Sequence, residues 1–326
     1  MINEKQIKRI LISRTDNLGD VVLTLPLCIW LKSRFPEATL VYLCKSYTAP
    51  VVSCFVPVDE MLLIESLESL NKEGRNKALK ADVILHVFPN QKIAQWAKEA
   101  KIPYRIGTSH RWFHWLFCNH RVDFTRKGSS LNESQLNFHL VQPLGLSEIP
   151  SFDSIRDTAT FFQAQAKPMA MDNYFIIHPF SKGSAVEYPL KNYVTLAEHL
   201  VEKGFQVMIT GTASEAAKIG TSFDHIDGVT NACAKFNLSE LIAIIKHSKG
   251  FAACSTGPLH LAGVMNVKTI GLFSPRKPID PGRWSPLGTS TQSLVFDDQC
   301  EQCANNKTCN CIARIPVETL LKALLN

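Results

Sequence analysis

Between Ile10 and Pro26 the chain reads ILISRTDNLGDVVLTLP: an apolar run, a polar turn at Arg14-Thr15-Asp16-Asn17, a Gly19-Asp20 pair, then a second apolar run. A buried strand, a turn and an apolar helix in that order form the opening unit of a doubly wound α/β domain. Ligands of such domains bind beyond the carboxyl ends of the strands, which is where Asp20 falls. Its carboxylate is electrostatically favoured in the first turn of a helix. Asp20 is therefore either an ordinary helix-start acid or a group at a ligand crevice, and the rest of the chain has to decide.

The same alternation continues. Strands are expected at 8–14, 39–44, 61–64, 81–88 and 104–107, with helices at 19–35, 46–54, 67–79 and 91–99 between them. Pro26 either kinks the first helix or marks a restart with Thr24 as N-cap. Residues 101–127 break the rhythm. Arg105, Arg111, Arg121, Arg126 and Lys127 stand there against a single acid, Asp123, with Trp112, Phe113, Trp115 and Phe117 interleaved. The stretch is either a surface for phosphorylated sugars or an anionic membrane, or a core helix with a solvated basic face. Residues 132–145 read as helical, and 147–172, with Pro150 and Pro168, as a linker carrying a short element near 159–162.

A second α/β series begins at Tyr174. Strands are expected at 174–180, 205–211, 229–232, 250–254 and 269–274, and helices at 190–203, 214–221, 239–247, 258–265 and 316–325. Strands spaced by helical patterns make mostly parallel sheets. The 326 residues thus divide into two Rossmann-like doubly wound domains, 1–165 and 166–326, expected to face each other across a cleft.

Several chemistries are excluded. No G-x-G occurs, so the dinucleotide fingerprint is missing; neither a P-loop nor a G-x-S-x-G elbow is present. No run of about 18 apolar residues exists to span a membrane. No secretory signal is visible, so the ten cysteines are expected to be reduced thiols in the cytoplasm. The net charge of +6 admits an anionic partner without choosing one.

The most informative local signal is FAACSTGPLHLAGVMNVKTIGLF, residues 251–273. A buried strand ends at Cys254, Ser255-Thr256-Gly257 turns, and Pro258 takes an early helical position with His260 in the first turn. Unpaired amides at Thr256, Gly257 and Leu259 would face the space above the sheet, as at a phosphate-binding helix start. Near the end, Cys300, Cys303, Cys309 and Cys311 have the spacing C-x2-C-x5-C-x-C with no histidine nearby. They read as an all-thiolate structural site, zinc being the fitting ion, or else as reduced thiols or a local disulfide.

The string S-T-G-P-L-H-L-A followed by a strand and G-L-F resembles the C-domain signature of glycosyltransferase family 9, the ADP-heptose:lipopolysaccharide heptosyltransferases. The L-G-D-V-V-L-T-L-P string around Asp20 is similar to that family's N-domain motif. Ile177-His178-Pro179, Tyr188-Pro189, Thr210-Gly211 with Glu215, and Tyr104-Arg105-Ile106-Gly107 follow in family order. The resemblance implies a GT-B fold, with the acceptor on the N-domain and the donor on the C-domain. It implies an inverting transfer with no catalytic cofactor, in which Asp20 is the general base. Ser181 and Lys182 would then meet the diphosphate and Glu215 the ribose hydroxyls. The Thr256–Gly257 amides and the His260 turn would steady the leaving nucleoside diphosphate. Arg105, Arg111 and Arg121 would meet a lipid-linked, phosphorylated glycan acceptor, and nucleic acid is not an expected partner. The enzyme would build the lipopolysaccharide core or a related surface glycan on the cytoplasmic side, in peripheral contact with the inner face of the inner membrane. Two departures touch the donor side: Ser255 stands where members carry an aspartate before T-G, and Val186-Glu187 precede Tyr188-Pro189 where a basic residue is usual. They leave open a second class, a non-catalytic nucleotide-sugar-binding or glycan-assembly protein on the same fold.

Overall fold

A computed structural model describes residues 6–164, 172–305 and 309–326. The chain forms two compact units, Met1–Ile155 and Arg156–Asn326. Residues 156–164 pack with the second unit. Arg156 donates to the Gly288 carbonyl (Nε, 2.9 Å) and to Thr291 Oγ1 (Nη2, 2.8 Å), and Thr158 donates to the Val264 carbonyl. The loop 285–290 that receives Arg156 approaches the helix Gly257–Val264 so closely that a Cβ on Gly263 would lie 2.4 Å from the Leu287 oxygen. Residues 165–171 of the expected linker, Pro168 among them, lie outside the described residues.

The first unit is a six-stranded parallel sheet of β1 (Arg9–Ser13), β2 (Thr39–Cys44), β3 (Glu60–Leu63), β4 (Val83–His86), β5 (Tyr104–Thr108) and β6 (His120–Val122), in the order β3-β2-β1-β4-β5-β6. Ile10 pairs with Leu40 on one side and Val83 on the other. The central strands are apolar without alternation because helices cover both faces. On one face Leu11, Val41, Leu43 and Ile84 meet Ile93, Trp96 and Ala97 of the helix Gln91–Glu99. The first expected helix is in fact two, Leu18–Val22 and Leu25–Arg34: Pro26 starts the second, and Thr24 turns its hydroxyl back to the Asp20 carbonyl (2.9 Å) rather than capping. The stretch that broke the rhythm keeps it after all, as β5, the short helix Trp112–Phe117 and β6. Residues 133–137 are α-helical and 138–144 continue as a 3₁₀ helix.

The second unit repeats the plan with β7 (Tyr174–His178), β8 (Gln206–Ile209), β9 (Val229–Asn231), β10 (Gly250–Cys254), β11 (Thr269–Leu272) and β12 (Thr291–Leu294), all parallel, in the order β12-β11-β10-β7-β8-β9. Phe175, Ile177, Val207, Ile209, Ala252, Cys254, Ile270 and Leu272 share one face. They pack on the helices Leu190–Glu202 and Val317–Leu325 through Tyr193, Leu196, Leu200, Leu320 and Leu324. On the other face the Tyr174 hydroxyl donates to the Ile244 carbonyl at 2.6 Å. Among the described residues no helix is long and apolar enough to cross a membrane.

Candidate active site

In each unit the strand order reverses once, between β1 and β4 and between β7 and β10, and the loops leaving those strands are where a doubly wound sheet binds ligand. In the first unit, Arg14 leaves β1 and is 2% exposed, its backbone N–H donating to Leu43 O at 3.0 Å. Its guanidinium gathers three carboxylates: Asp16 (Nε to Oδ1, 2.8 Å), Asp20 through Nη2, and Glu133 (3.4 Å). Asp20 occupies the first turn of Leu18–Val22, as the motif requires. Glu133 is buried at the start of Glu133–Asn137, whose capping box is Asn132 with Gln135, and it also accepts from Arg126 Nε at 3.2 Å. Asn137 accepts from Arg14 Nη1 (3.4 Å) and donates to the Leu23 carbonyl (3.2 Å), tying this helix to the one carrying Asp20.

The electrostatics follow from the count of charges. Burial opposes the charge of Arg14, but Asp16, Asp20 and Glu133 outweigh it and push its pKa upward. Burial lifts the Asp16 carboxyl to about 6; Arg14 pulls it back and the like charge of Asp20 pushes it further up. Asp20 and Asp16 keep 15% and 13% of their side-chain surface accessible, whereas Arg14 and Glu133 keep almost none. The carboxylates open outward and the arginine that fixes them does not. Asp16, Arg14, Arg126 and Glu133 were not among the site residues expected from sequence. Arg14 and Asp16 stood in the quoted turn, but only the fold brings them to Glu133.

In the second unit the loop after β7 turns through Lys182 (φ 51°) and Gly183 (φ 82°), consecutive left-handed residues. Ser181 donates both N–H and O–H to Glu187 (2.9 and 3.0 Å), and Ser184 donates to the Ser255 carbonyl at 3.0 Å, joining this loop to the one after β10. The sequence departure at Glu187 thus has a local use: it holds the Ser181 turn and leaves Lys182 exposed. Thr256 is the N-cap of Gly257–Val264, but its hydroxyl accepts the Leu259 amide at 3.3 Å. Leu259 is therefore withdrawn from the expected set of unpaired amides. Those of Thr256 and Gly257 have no intrahelical acceptor.

Glu215 is 3% exposed and its Oε2 accepts the Thr212 amide (2.7 Å) and hydroxyl (2.9 Å), a capping box at the helix Ala213–Ile219. Burial raises its pKa, but the two Thr212 bonds, with His178 and Lys182 nearby, bring it below the usual carboxylate range. His178 Nδ1 lies 3.0 Å from Thr210 Oγ1, and burial lowers its pKa to about 4. Burial does the same to His260, about 4, whose ring lies tilted against Trp284 with centroids 6.2 Å apart. His260 is a neutral imidazole at neutral pH, whereas Lys182, on the loop after β7, is exposed.

The expected acceptor arginines do not gather around Asp20. Arg105 is half-buried and donates to the Phe117 carbonyl (Nε, 2.7 Å) and, through Nη1, to the Ile102 carbonyl. Arg121 lies on β6, three strands from β1, about 14 Å at the usual spacing of ~4.8 Å. It donates to the Cys118 carbonyl (2.9 Å) and covers the Trp115 ring at 4.4 Å. Arg111 is exposed at the N-cap of Trp112–Phe117.

The sulfurs of Cys300, Cys303, Cys309 and Cys311 all lie within 4.8 Å of one another, with Cys300–Cys309 at 3.4 Å and Cys309–Cys311 at 3.0 Å. These are thiols, not disulfides. A tetrahedral ion with ~2.3 Å bonds to sulfur needs sulfurs about 3.8 Å apart, so the cage fits one with small adjustments. Ser274, two residues past β11, meets Cys303 Sγ at 3.5 Å, a polar contact outside the cage.

Two doubly wound units in tandem, each a parallel six-stranded sheet, give the chain the GT-B fold. Residues 75–312 match the family model of glycosyltransferase family 9 (heptosyltransferase), and the chain belongs to that family. It is therefore a glycosyltransferase. A Haemophilus influenzae relative, whose glycosyltransferase description is provisional, is 26% identical over 311 residues, 89% of each chain. Lipopolysaccharide heptosyltransferase 3 of Escherichia coli is 22% identical over 82% of this chain and 84% of its own. Among solved structures, the E. coli ADP-heptose lipopolysaccharide heptosyltransferase II superposes with a TM-score of 0.72 at 18% identity, over 98% of both chains.

Proposed function

We propose that this chain transfers a sugar, heptose from ADP-heptose, to a lipid-linked core saccharide with inversion at the anomeric carbon. The observation that carries this reading is Asp20, held by the buried Arg14 at the carboxyl end of β1 with part of its carboxylate open. The first unit takes the acceptor. Asp20 accepts the proton of the acceptor hydroxyl as that oxygen bonds to the anomeric carbon. The bond from that carbon to the diphosphate breaks, and the nucleoside diphosphate leaves with the electron pair. The second unit takes the donor. Lys182 and the Thr256–Gly257 amides stabilise the charge that develops on the diphosphate. Glu215, already fixed by Thr212, is the carboxylate for the ribose hydroxyls, and Ser255 offers the donor sugar a neutral group where relatives offer an acid.

The four cysteines hold a structural zinc or iron ion. Such an ion would tie Cys300 and Cys303 to Cys309 and Cys311 and takes no part in the transfer. The reaction takes place on the cytoplasmic side of the inner membrane, where the acceptor lipid presents its sugars. Ser255 also favours a second reading, a binding protein that keeps the donor site and has lost turnover. Nucleotide release from ADP-heptose distinguishes them: release that depends on a core acceptor and is lost in Asp20→Asn supports the enzyme. Donor binding without acceptor-dependent release supports the binding protein.

A further inference from the structure

The helix Trp112–Phe117 is apolar on both faces. Phe113 and His114 point inward, and His114 is fully buried, its Nδ1 2.9 Å from the Thr108 carbonyl. It packs so tightly on β5 that a Cβ on Gly107 would lie 2.6 Å from that nitrogen. Trp112, Trp115 and Leu116, at i, i+3 and i+4, form the outer face and are 65%, 60% and 55% exposed. The remaining exposed large apolar side chains are spread along the chain, from Tyr47 to Leu325. An exposed apolar cluster on a well-seated helix marks an interaction surface.

The surroundings identify its chemistry. Residues 98–121 contain Lys98, Lys101, Arg105, Arg111 and Arg121 against one acid, Glu99. Arg111 begins the helix, Arg121 lies over Trp115, and Lys98, exposed, donates to the Leu116 carbonyl at 2.9 Å. The indole N–H of Trp115 is bonded to the Ser109 carbonyl at 2.9 Å, which fixes that ring in place. Indoles with adjacent arginines suit the headgroup layer of an anionic bilayer, where rings lie among the glycerol backbones and guanidinium groups meet phosphates. A protein partner would be expected to bring acidic side chains to the same cations, and a second copy would bring the same cations against one another.

We propose that the outer face of Trp112–Phe117, with Trp112, Trp115 and Leu116 inserted and Arg111 and Arg121 on the phosphates, docks this protein on an anionic lipid surface. This differs from an acceptor subsite, because β6 is three strands from Asp20 and Arg105 is spent on backbone carbonyls. It rests on the proposed reading only in supposing a lipid-linked acceptor; docking is measured without sugar transfer.

The test is sedimentation of the full chain with vesicles of phosphatidylethanolamine and phosphatidylglycerol, and with vesicles of phosphatidylcholine alone, alongside light scattering of the free protein. The parent should bind the anionic vesicles and far less the neutral ones. Trp112→Ala with Trp115→Ala should weaken that binding about tenfold or more. Arg111→Gln and Arg121→Gln should each weaken it about fivefold, and added salt should do the same. Each variant should stay folded, with a melt lowered only slightly, where the Trp115–Ser109 or Arg121–Cys118 hydrogen bond is lost, and turnover of a deacylated, soluble acceptor should be unchanged. Absent vesicle binding in the parent, or binding indifferent to the tryptophans, overturns the proposal. So does a concentration-dependent dimer that the tryptophan variant abolishes, which would make the face a contact between copies. Loss of turnover on soluble acceptor in a folded Arg121→Gln variant would return the stretch to the acceptor site and overturn it as well.

Discussion

Asp20→Asn separates chemistry from folding in this chain. The Asp20 side chain contacts Arg14, and Arg14 retains Asp16 at 2.8 Å and Glu133 at 3.4 Å when that contact weakens. The cluster holds two arginines, Arg14 and Arg126, and three carboxylates, so losing one negative charge leaves it better balanced. The change in stability should stay within about 1 kcal/mol, because the asparagine amide oxygen can still accept from Arg14. Turnover is another matter. Removing a general base costs about 10²–10⁴-fold, ~2.7–5.5 kcal/mol on the barrier at about 1.36 kcal/mol per decade. The assay is steady-state release of nucleoside diphosphate with acceptor saturating, paired with a melt and a calorimetric titration of the donor. The expected pattern is a lost kcat, an unchanged melt and an unchanged donor affinity, because the donor loops belong to the second unit. A folded variant with turnover within about threefold of the parent would remove Asp20 from the mechanism.

Arg14→Met should do the opposite. It leaves Asp16 and Asp20 without their arginine and Glu133 with Arg126 alone, and should cost about 3–5 kcal/mol of stability, visible as a lower denaturation midpoint. Lys182→Gln should raise the Michaelis constant of the donor about tenfold or more and leave that of the acceptor alone, since a charge-assisted contact to phosphate is worth ~1.5–3 kcal/mol. Chelation should leave turnover intact while lowering the melting temperature, with about one zinc or iron ion released per chain by elemental analysis, because the cysteine cage is structural and the diphosphate is held by Lys182 and amides. Acid should unfold the protein early. His86, His178 and His260 are buried, with pKa values lowered to about 3, 4 and 4. Depressed below the unfolded value of ~6.5, they let the unfolded chain bind protons first. Stability should therefore decline as pH falls below about 6.5, by ~2 kcal/mol per histidine near pH 5. His86→Leu should move the acid midpoint downward.

The sequence carried the architecture where strands are buried on both faces, because those strands are continuous apolar runs such as Ile10-Leu11-Ile12 and Tyr174–Ile177. It did not carry β6 and β12. His120-Arg121-Val122 and Thr291-Gln292-Ser293-Leu294 are short, polar edge strands, defined by pairing to β5 and β11 rather than by their own composition. The site shows the same division. Asp20, the Ser181–Lys182 turn and the Thr256 cap lie at strand ends and helix starts, which local patterns reveal. The Arg14–Glu133 pair spans 119 residues, and nothing in either segment announces the other. Leu259 leaves the expected set of unpaired amides because the Thr256 hydroxyl reaches it, a choice of rotamer that a motif does not encode. Arg105 looked like a ligand-binding cation and is spent on two backbone carbonyls, a use visible only once β5 and the following helix are packed together.

The most direct test of the account is the anomeric configuration of the product formed from ADP-heptose and a deacylated core acceptor, followed by proton NMR with the wild-type chain. Acceptor-dependent release of ADP with a glycosidic bond of configuration opposite to the donor's is the predicted result, and it requires one displacement with one base. A product that retains the donor's configuration, or ADP released at the same rate without acceptor, would contradict it.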